Sequence, residues 1–400
     1  MEASEESAER RPPPEPSFVL RGHDAVVHCV AFSPPETGLL LAADDLGKVV
    51  AWNLDTRREA WSVDASGGAV LAVRTLSEDR FLTQGKDGAL KIWSMERPDA
   101  GVLAGGPTVC GEVVANLHSF CKSVVMQAAA QPGAAEPVIA LPMGMDGAAL
   151  WDPREPAVGS LILRPRADMD APNARTTHGQ PNPAGQCTSL SALSDTHLLG
   201  GFEDGVLRLW DCRAAATPLA SLAAHQEPVF GLSATLLDTS GAAPLGKSTV
   251  FSGGADHFVA VSHIGGRHSV SSSSEAAAPG EEESLAGDAP SRAEDAGTQE
   301  AGFPEEGSPG GCVIGSRARL ELKGAGQKGV NYIATRPDQK VFAAGCWDGR
   351  VRVFSCKKPR ALASLKFHSK GVQCVEFSAD SKLMASCSDD TRIALWQIYQ

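Results

Sequence analysis

Leu39-Leu-Leu-Ala-Ala-Asp-Asp45, then a leucine, then Gly47-Lys-Val-Val-Ala-Trp52 reads as two short strands joined by a tight turn. An apolar run rich in small residues ends in acids, a glycine follows, and an aromatic comes five residues after the glycine. The same unit recurs as Gly88-Ala-Leu-Lys-Ile-Trp93, Gly205-Val-Leu-Arg-Leu-Trp210 and Gly349-Arg-Val-Arg-Val-Phe354. A last copy has Thr391 in place of glycine and ends at Trp396. A shorter copy is Gly147-Ala-Ala-Leu-Trp151, and a degenerate one, Asp256-His-Phe-Val-Ala-Val-Ser262, has lost its tryptophan.

Seven units result. Trp52 and Trp93 are 41 residues apart and Phe354 and Trp396 are 42 apart, both within the ~40–45-residue period of a four-stranded propeller blade. The expected fold is all-β: a seven-bladed β-propeller spanning 17–400. Phe18-Val-Leu-Arg21 is a lone strand ahead of the first unit, and the last unit ends at Trp396 without an outer strand. The N-terminal strand is expected to fill that gap and close the ring, which leaves only short, protected edges.

The turn chemistry explains the residue types. An Asp before the glycine (Asp87, Asp146, Asp204, Asp348) accepts backbone N–H bonds while glycine supplies a positive φ. The tryptophan covers the blade with its ring, and its N–H needs a partner once buried. In these features the chain resembles WD-repeat proteins. The resemblance implies that the partner is a Ser or Thr of the preceding strand, in a network running on to a His before the first strand and to the turn Asp. The last unit can supply the full set, His368, Ser386, Asp390 and Trp396. The fifth keeps His225, Ser252 and Asp256, and the first keeps His23, Asp45 and Trp52, with Gly22-His23 matching the family dipeptide. Asp87 with Trp93, Trp151, Asp204 with Trp210, and Asp348 belong to units without a clear His, so the network is expected to be partial.

The formal charge is −12, of which residues 271–310 carry −9 and residues 1–16 carry −3, leaving the rest near neutral. No basic excess points to phosphate, so direct nucleic-acid binding is not expected. The N-terminus from Glu2 to Pro16 is acidic and Pro-rich, without the order of a signal peptide, and no apolar run reaches the ~18 residues of a membrane span. The ten cysteines are scattered with no C-x-x-C pair, the usage of reduced, buried thiols in the cytosol or nucleus. Residues 265–312, rich in Ser, Gly, Ala and Glu, interrupt the fifth blade between strands expected at Phe258–Ile264 and Arg319–Lys323. Their composition cannot bury enough apolar surface to offset ordering, so this insertion and the tail 1–16 are expected to be disordered. Residues 166–186 form a shorter Asn/Pro/Gly-rich loop. Within the insertion Ser272-Ser-Ser-Glu275 suits an acidophilic kinase, against the simpler reading of a solvated loop.

Gly241-Ala-Ala-Pro-Leu-Gly246-Lys247-Ser248 satisfies the phosphate-loop pattern, but that chemistry needs a helix after the loop, and Thr249-Val-Phe-Ser reads as a strand. Nucleotide binding is rejected on that context. No catalytic motif, metal site or cofactor is expected. Trp151-Asp-Pro-Arg154 and Trp210-Asp-Cys-Arg213 resemble the box by which propellers dock the adaptor of cullin-4 ubiquitin ligases, although Trp-Asp is also the repeat consensus. Trp61, Trp347 and Arg350 depart from the repeat and are candidate contacts for a partner on the top rim, since Trp and Arg dominate binding hot spots.

Pro16-Ser-Phe-Val-Leu-Arg-Gly-His23, His225-Gln-Glu-Pro-Val229 and the stretch Tyr332 to Trp396 resemble the G-protein β-subunit-like protein 1 group, which includes the ASTRA-associated protein of fungi. The resemblance implies a non-catalytic scaffold, monomeric within a complex, in the nucleus and cytoplasm. Its implied partners are Tel2-type co-chaperone subunits and phosphatidylinositol-3-kinase-related kinases, with a link to chromatin remodelling. A cullin-4 substrate receptor is the alternative. A G-protein-β-like signalling role is disfavoured, because only 16 residues precede the first strand.

Overall fold

Strands that are buried on both faces should read as continuous apolar runs, and most second strands of the units do. In the computed structural model His197–Phe202 and Val341–Cys346 are buried at every position. The residues described are 14–95, 106–115, 120–126, 137–144, 147–155, 161–165, 184–213, 217–236, 248–266, 312–323 and 329–398. Among them the chain forms seven four-stranded antiparallel sheets. We letter the strands of each blade a to d from the centre outward. Blade one is Val27–Phe32, Leu39–Asp44, Lys48–Asn53 and Arg58–Asp64. The other inner strands are Val70–Thr75, Val124–Met126, Cys187–Ala192, Val229–Leu236, Val330–Thr335 and Val372–Phe377. Neighbouring blades pack face to face in sequence order, and the inner strand of blade seven lies against that of blade one. The protein is a seven-bladed β-propeller.

Ring closure follows the sequence expectation. Phe18–Leu20 pairs antiparallel with Ile393–Gln397, with Phe18 opposite Leu395, and becomes the outer strand of blade seven. Alternation of strand direction puts all d–a connections and b–c turns on one face of the disc, and all a–b and c–d connections on the other. Outside blade five the b–c turns use left-handed backbone, with Gly47 at φ 90° and Gly88 at φ 84°. A Cβ on Gly47 would also collide with the Ser66 carbonyl. In blade seven Thr391 holds φ 65°, a strained conformation for a β-branched residue.

Blade five departs from expectation in extent. Its outer hairpin spans Phe258–Gly266 and Cys312–Glu321, paired from Phe258–Glu321 out to Gly266–Cys312. The insertion therefore grows from a longer ribbon than the composition boundary implied, because cross-strand pairing carries the ladder past the last apolar residue, Ile264. Residues 267–311, with Ser272–Glu275, lie outside the described residues, as do the tail 1–13, the loop 166–183, Asp146 and 241–247. A strand, Ser248–Gly254, follows Lys247, so the phosphate-loop pattern lacks the helix its chemistry requires. Among the described residues no helix is long and apolar enough to cross a membrane.

Candidate protein-interaction surface

Most blades bury an aromatic and set an acid at the b–c turn, and the connections between them differ from blade to blade. Blade seven is complete. Trp396 Nε1 donates to Ser386 Oγ at 2.9 Å, and the same hydroxyl meets His368 Nε2 at 2.9 Å. His368 Nδ1 lies 3.1 Å from both carboxylate oxygens of Asp390, which also caps the Ser369 N–H. Burial is the largest single influence and opposes ionisation of Asp390, but His368, through its hydrogen bond and charge, together with the Ser369 and Arg392 N–H groups holds the carboxyl below its ordinary range. Blade five keeps His225 on Ser252 at 2.8 Å and on Asp256 at 3.2 Å. Ser262 is buried where the tryptophan would stand.

Blade one corrects the sequence reading. His23 Nδ1 pairs with Asp44 at 2.8 Å, not with Asp45. Asp44 ends strand b with its side chain inward and caps Leu46 and Lys48 through Oδ1. Asp45, one residue on, is exposed and meets His28 at 2.8 Å. The position that holds Asp390 in blade seven is Leu46 here, 66% exposed. Strand register places Ala42, opposite Val50, where blade seven has Ser386, opposite Ala394. Without that hydroxyl, Trp52 Nε1 and His23 Nε2 are buried with no hydrogen-bond partner.

The remaining blades use substitutes. In blade two Thr83 accepts from Trp93 Nε1 at 2.9 Å, and Ser66 takes the place of the histidine, 3.2 Å from Asp87. In blades four and six an arginine four residues past the turn acid captures it. Arg208 meets Asp204 at 2.7 Å and Arg352 meets Asp348 at 2.7 Å. Sequence reasoning missed both, although the signal was present: the two arginines occupy the same place, three residues after the turn glycine. In blade three Trp151 Nε1 donates to Glu155 O at 3.2 Å. Tight turns and buried aromatics repeat around one ring, with the Ser–His–Asp chain kept in blades five and seven. The chain is built of WD repeats.

Comparison with known proteins agrees. The family described as "WD domain, G-beta repeat" matches residues 14–53, 318–355 and 359–397, which are blades one, six and seven with their flanks. The chain is 29% identical to mouse "Guanine nucleotide-binding protein subunit beta-like protein 1", covering 97% of each protein. It is 23% identical to "ASTRA-associated protein 1" of Schizosaccharomyces pombe, over 96% of this chain and 99% of the relative. With that of Aspergillus niger identity is 24%, over 92% and 82%.

The candidate contact residues fall in three settings. Trp61 stacks on Phe81 at 5.6 Å and seals the seam between blades one and two, so packing accounts for it and it stands away from the rim. Trp347 and Arg350 flank the b–c turn of blade six. Trp347 Nε1 donates to Asn331 Oδ1 at 2.6 Å, and its half-buried ring sits by the channel, 6.1 Å from Phe230. Arg350 Nε lies 3.5 Å from Asp348. Arg154 and Arg213 are exposed on the opposite face, each folded onto the aspartate two residues before it. The bonds from Arg213 hold Asp211 down to about 2. Seven of the nine described cysteine side chains are buried, and all nine are free. Among the described residues no group of His, Cys, Asp or Glu could hold a metal.

Proposed function

We propose that this propeller is a non-catalytic scaffold of an ASTRA/Tel2-type co-chaperone assembly, acting in the maturation of phosphatidylinositol-3-kinase-related kinases and in chromatin remodelling. A relative named ASTRA-associated protein 1 matches over almost the full length of both chains, and that observation carries the reading. The WD-repeat fold is typical of interaction scaffolds. The buried histidines and turn acids are committed to holding blades together, leaving loops and turns on a rigid ring to bind. Trp347 and Arg350 are the proposed contacts on the b–c face. The protein acts as a monomer within the complex, in nucleus and cytoplasm.

The test is affinity purification of the tagged full chain from its own cells, with mass spectrometry and imaging of the same tag. Tel2-type subunits and giant kinases should co-elute, in amounts reduced by Arg350→Ala. Recovery of cullin-4 with its adaptor, lost with Arg154→Ala plus Arg213→Ala, would overturn the reading and make the protein a ligase receptor.

A further inference from the structure

The mouth of the channel on the a–b face carries charge that the repeat does not require. The fifth residue of the inner strand is small in four blades, Ala31, Ser191, Ser233 and Ala334, but is Arg74 in blade two and Glu376 in blade seven. All six line one cavity of about 990 Å³, to which all seven blades contribute. The small residues make the space, and the two charged ones stand at the same level of its wall.

Arg74 is held for presentation. Its Nε donates to Ser123 O at 3.0 Å and Nη1 to Val73 O at 3.3 Å. Nη2 donates at 3.3 Å to the hydroxyl of Tyr332, which reaches across the channel from blade six. These bonds use three of the five N–H groups a guanidinium carries, leaving two without an acceptor among the described residues. Glu376 faces the same space, and no described residue forms a hydrogen bond or ion pair with it. Lys122 adds a second cation, 4.7 Å over the Tyr332 ring, with its Nζ bonded to His28 O and Gln373 O. Lys122 is spent on those carbonyls, and the charged residues that line the cavity are Arg74, Glu376 and Asp195, so an incoming carboxylate has the guanidinium to seat on. Val125, Leu232, Ile333 and Phe377 set apolar side chains into a funnel wall that also carries Ser191, Ser233 and Thr335.

We propose that this mouth is a docking site for an extended segment of a partner protein presenting one acidic side chain among apolar residues, the carboxylate seating on Arg74. The guanidinium is pre-positioned, so little side-chain freedom is lost when the bond forms. Burial pushes Glu376 up to about 7, Arg74 and Lys122 pulling it down and Cys374 adding to the rise. Those groups, Tyr332 and, on the same cavity wall, Asp195 are the titratable groups around it. Below that range Glu376 is protonated and can donate to the guest. Above it the ionised carboxylate competes for Arg74, so affinity falls as pH rises. The site gives the scaffold a specific surface, whichever complex the protein joins.

The test uses the purified full chain alone, so its outcome is separate from that of the co-purification. A phage library of random 12-residue peptides is panned on it, and the winners are made with blocked ends, which excludes a chain-terminal carboxylate. Acidic residues flanked by apolar ones should be enriched. Glu→Gln in the peptide and Arg74→Gln in the protein should each weaken binding at least ~10-fold without adding, the loss of one charge-assisted contact. Ser191→Phe, which fills the funnel and leaves Arg74 in place, should abolish binding and stands in if Arg74→Gln fails to fold. Wild-type affinity should fall from pH 6 to pH 8.5 and be flat in Glu376→Gln. No enrichment, winners without an acid, binding that survives Ser191→Phe, or affinity that rises with pH overturns the proposal.

Discussion

Ala42→Ser restores to blade one the hydroxyl that blade seven has at Ser386. Ala42 is fully buried, and its place in the ladder matches that of Ser386. In blade seven that hydroxyl serves both Trp396 and His368 at 2.9 Å, whereas Trp52 Nε1 and His23 Nε2 are buried and unpartnered. Each unpaired buried polar group costs about 1–3 kcal/mol, and each new bond contributes about 1 kcal/mol net. Against this stands the cost of burying the new hydroxyl, also about 1–3 kcal/mol, which its two bonds offset. The expected gain is about 1–2 kcal/mol. Ser386→Ala orphans two groups at once and should lose about 2–4 kcal/mol. With an unfolding entropy of about 2 cal/mol/K per residue, a chain of this size shifts its midpoint about 1–2 °C per kcal/mol. Calorimetry should therefore show a rise of about 1–4 °C for Ala42→Ser and a fall of about 2–8 °C for Ser386→Ala. Hydrogen exchange at the Trp52 indole should slow in the first and that of Trp396 should quicken in the second. A neutral or destabilised Ala42→Ser variant whose hydroxyl is seen bonded to Trp52 would refute the reasoning, because the satisfied pair would then be worth nothing.

Thr391→Gly removes left-handed strain at φ 65° worth about 1–3 kcal/mol and adds unfolded-state freedom costing up to about 1 kcal/mol, so thermal unfolding should show a small net gain. Asp44, Asp256 and Asp390 each work against burial, but their histidine partners lower the folded pKa of all three. Their contribution is complete above the unfolded carboxyl value of about 3.9 and is lost as pH falls through the lower folded values. Acid titration of stability should steepen below that point and be flatter in Asp390→Asn. Arg208→Met strands Asp204 after breaking a pair whose arginine is 1% exposed and should cost about 3–5 kcal/mol. Arg213→Ala, on an exposed pair, should leave stability almost unchanged in the same denaturation assay.

The seven hairpins, the blade period and the closing strand were legible in the chain because they are local: a turn glycine, an alternating strand and an aromatic lie within a dozen residues. Which acid serves His23 was not. Asp44 and Asp45 point to opposite sides of a strand, and only the register of Leu39–Asp44 against Val27–Phe32 selects the inward one. Arg208 and Arg352 were visible as residues but not as substitutes for histidine, since a strand arginine is ordinarily a solvated one and only burial of the blade face makes it a partner. Trp61 read as a contact residue, and only the fold shows its ring stacked on Phe81 of the next blade.

Sequence by itself determined the number of blades, their order and the strand that closes them, because hydrophobic periodicity and turn chemistry act over short range. Tertiary structure alone decided what meets in the channel. Arg74 and Tyr332 are 258 residues apart and share a hydrogen bond, and Lys122 reaches carbonyls of blades one and seven. A closed ring brings distant inner strands to one axis, and no local pattern in the chain encodes which of their side chains face each other there.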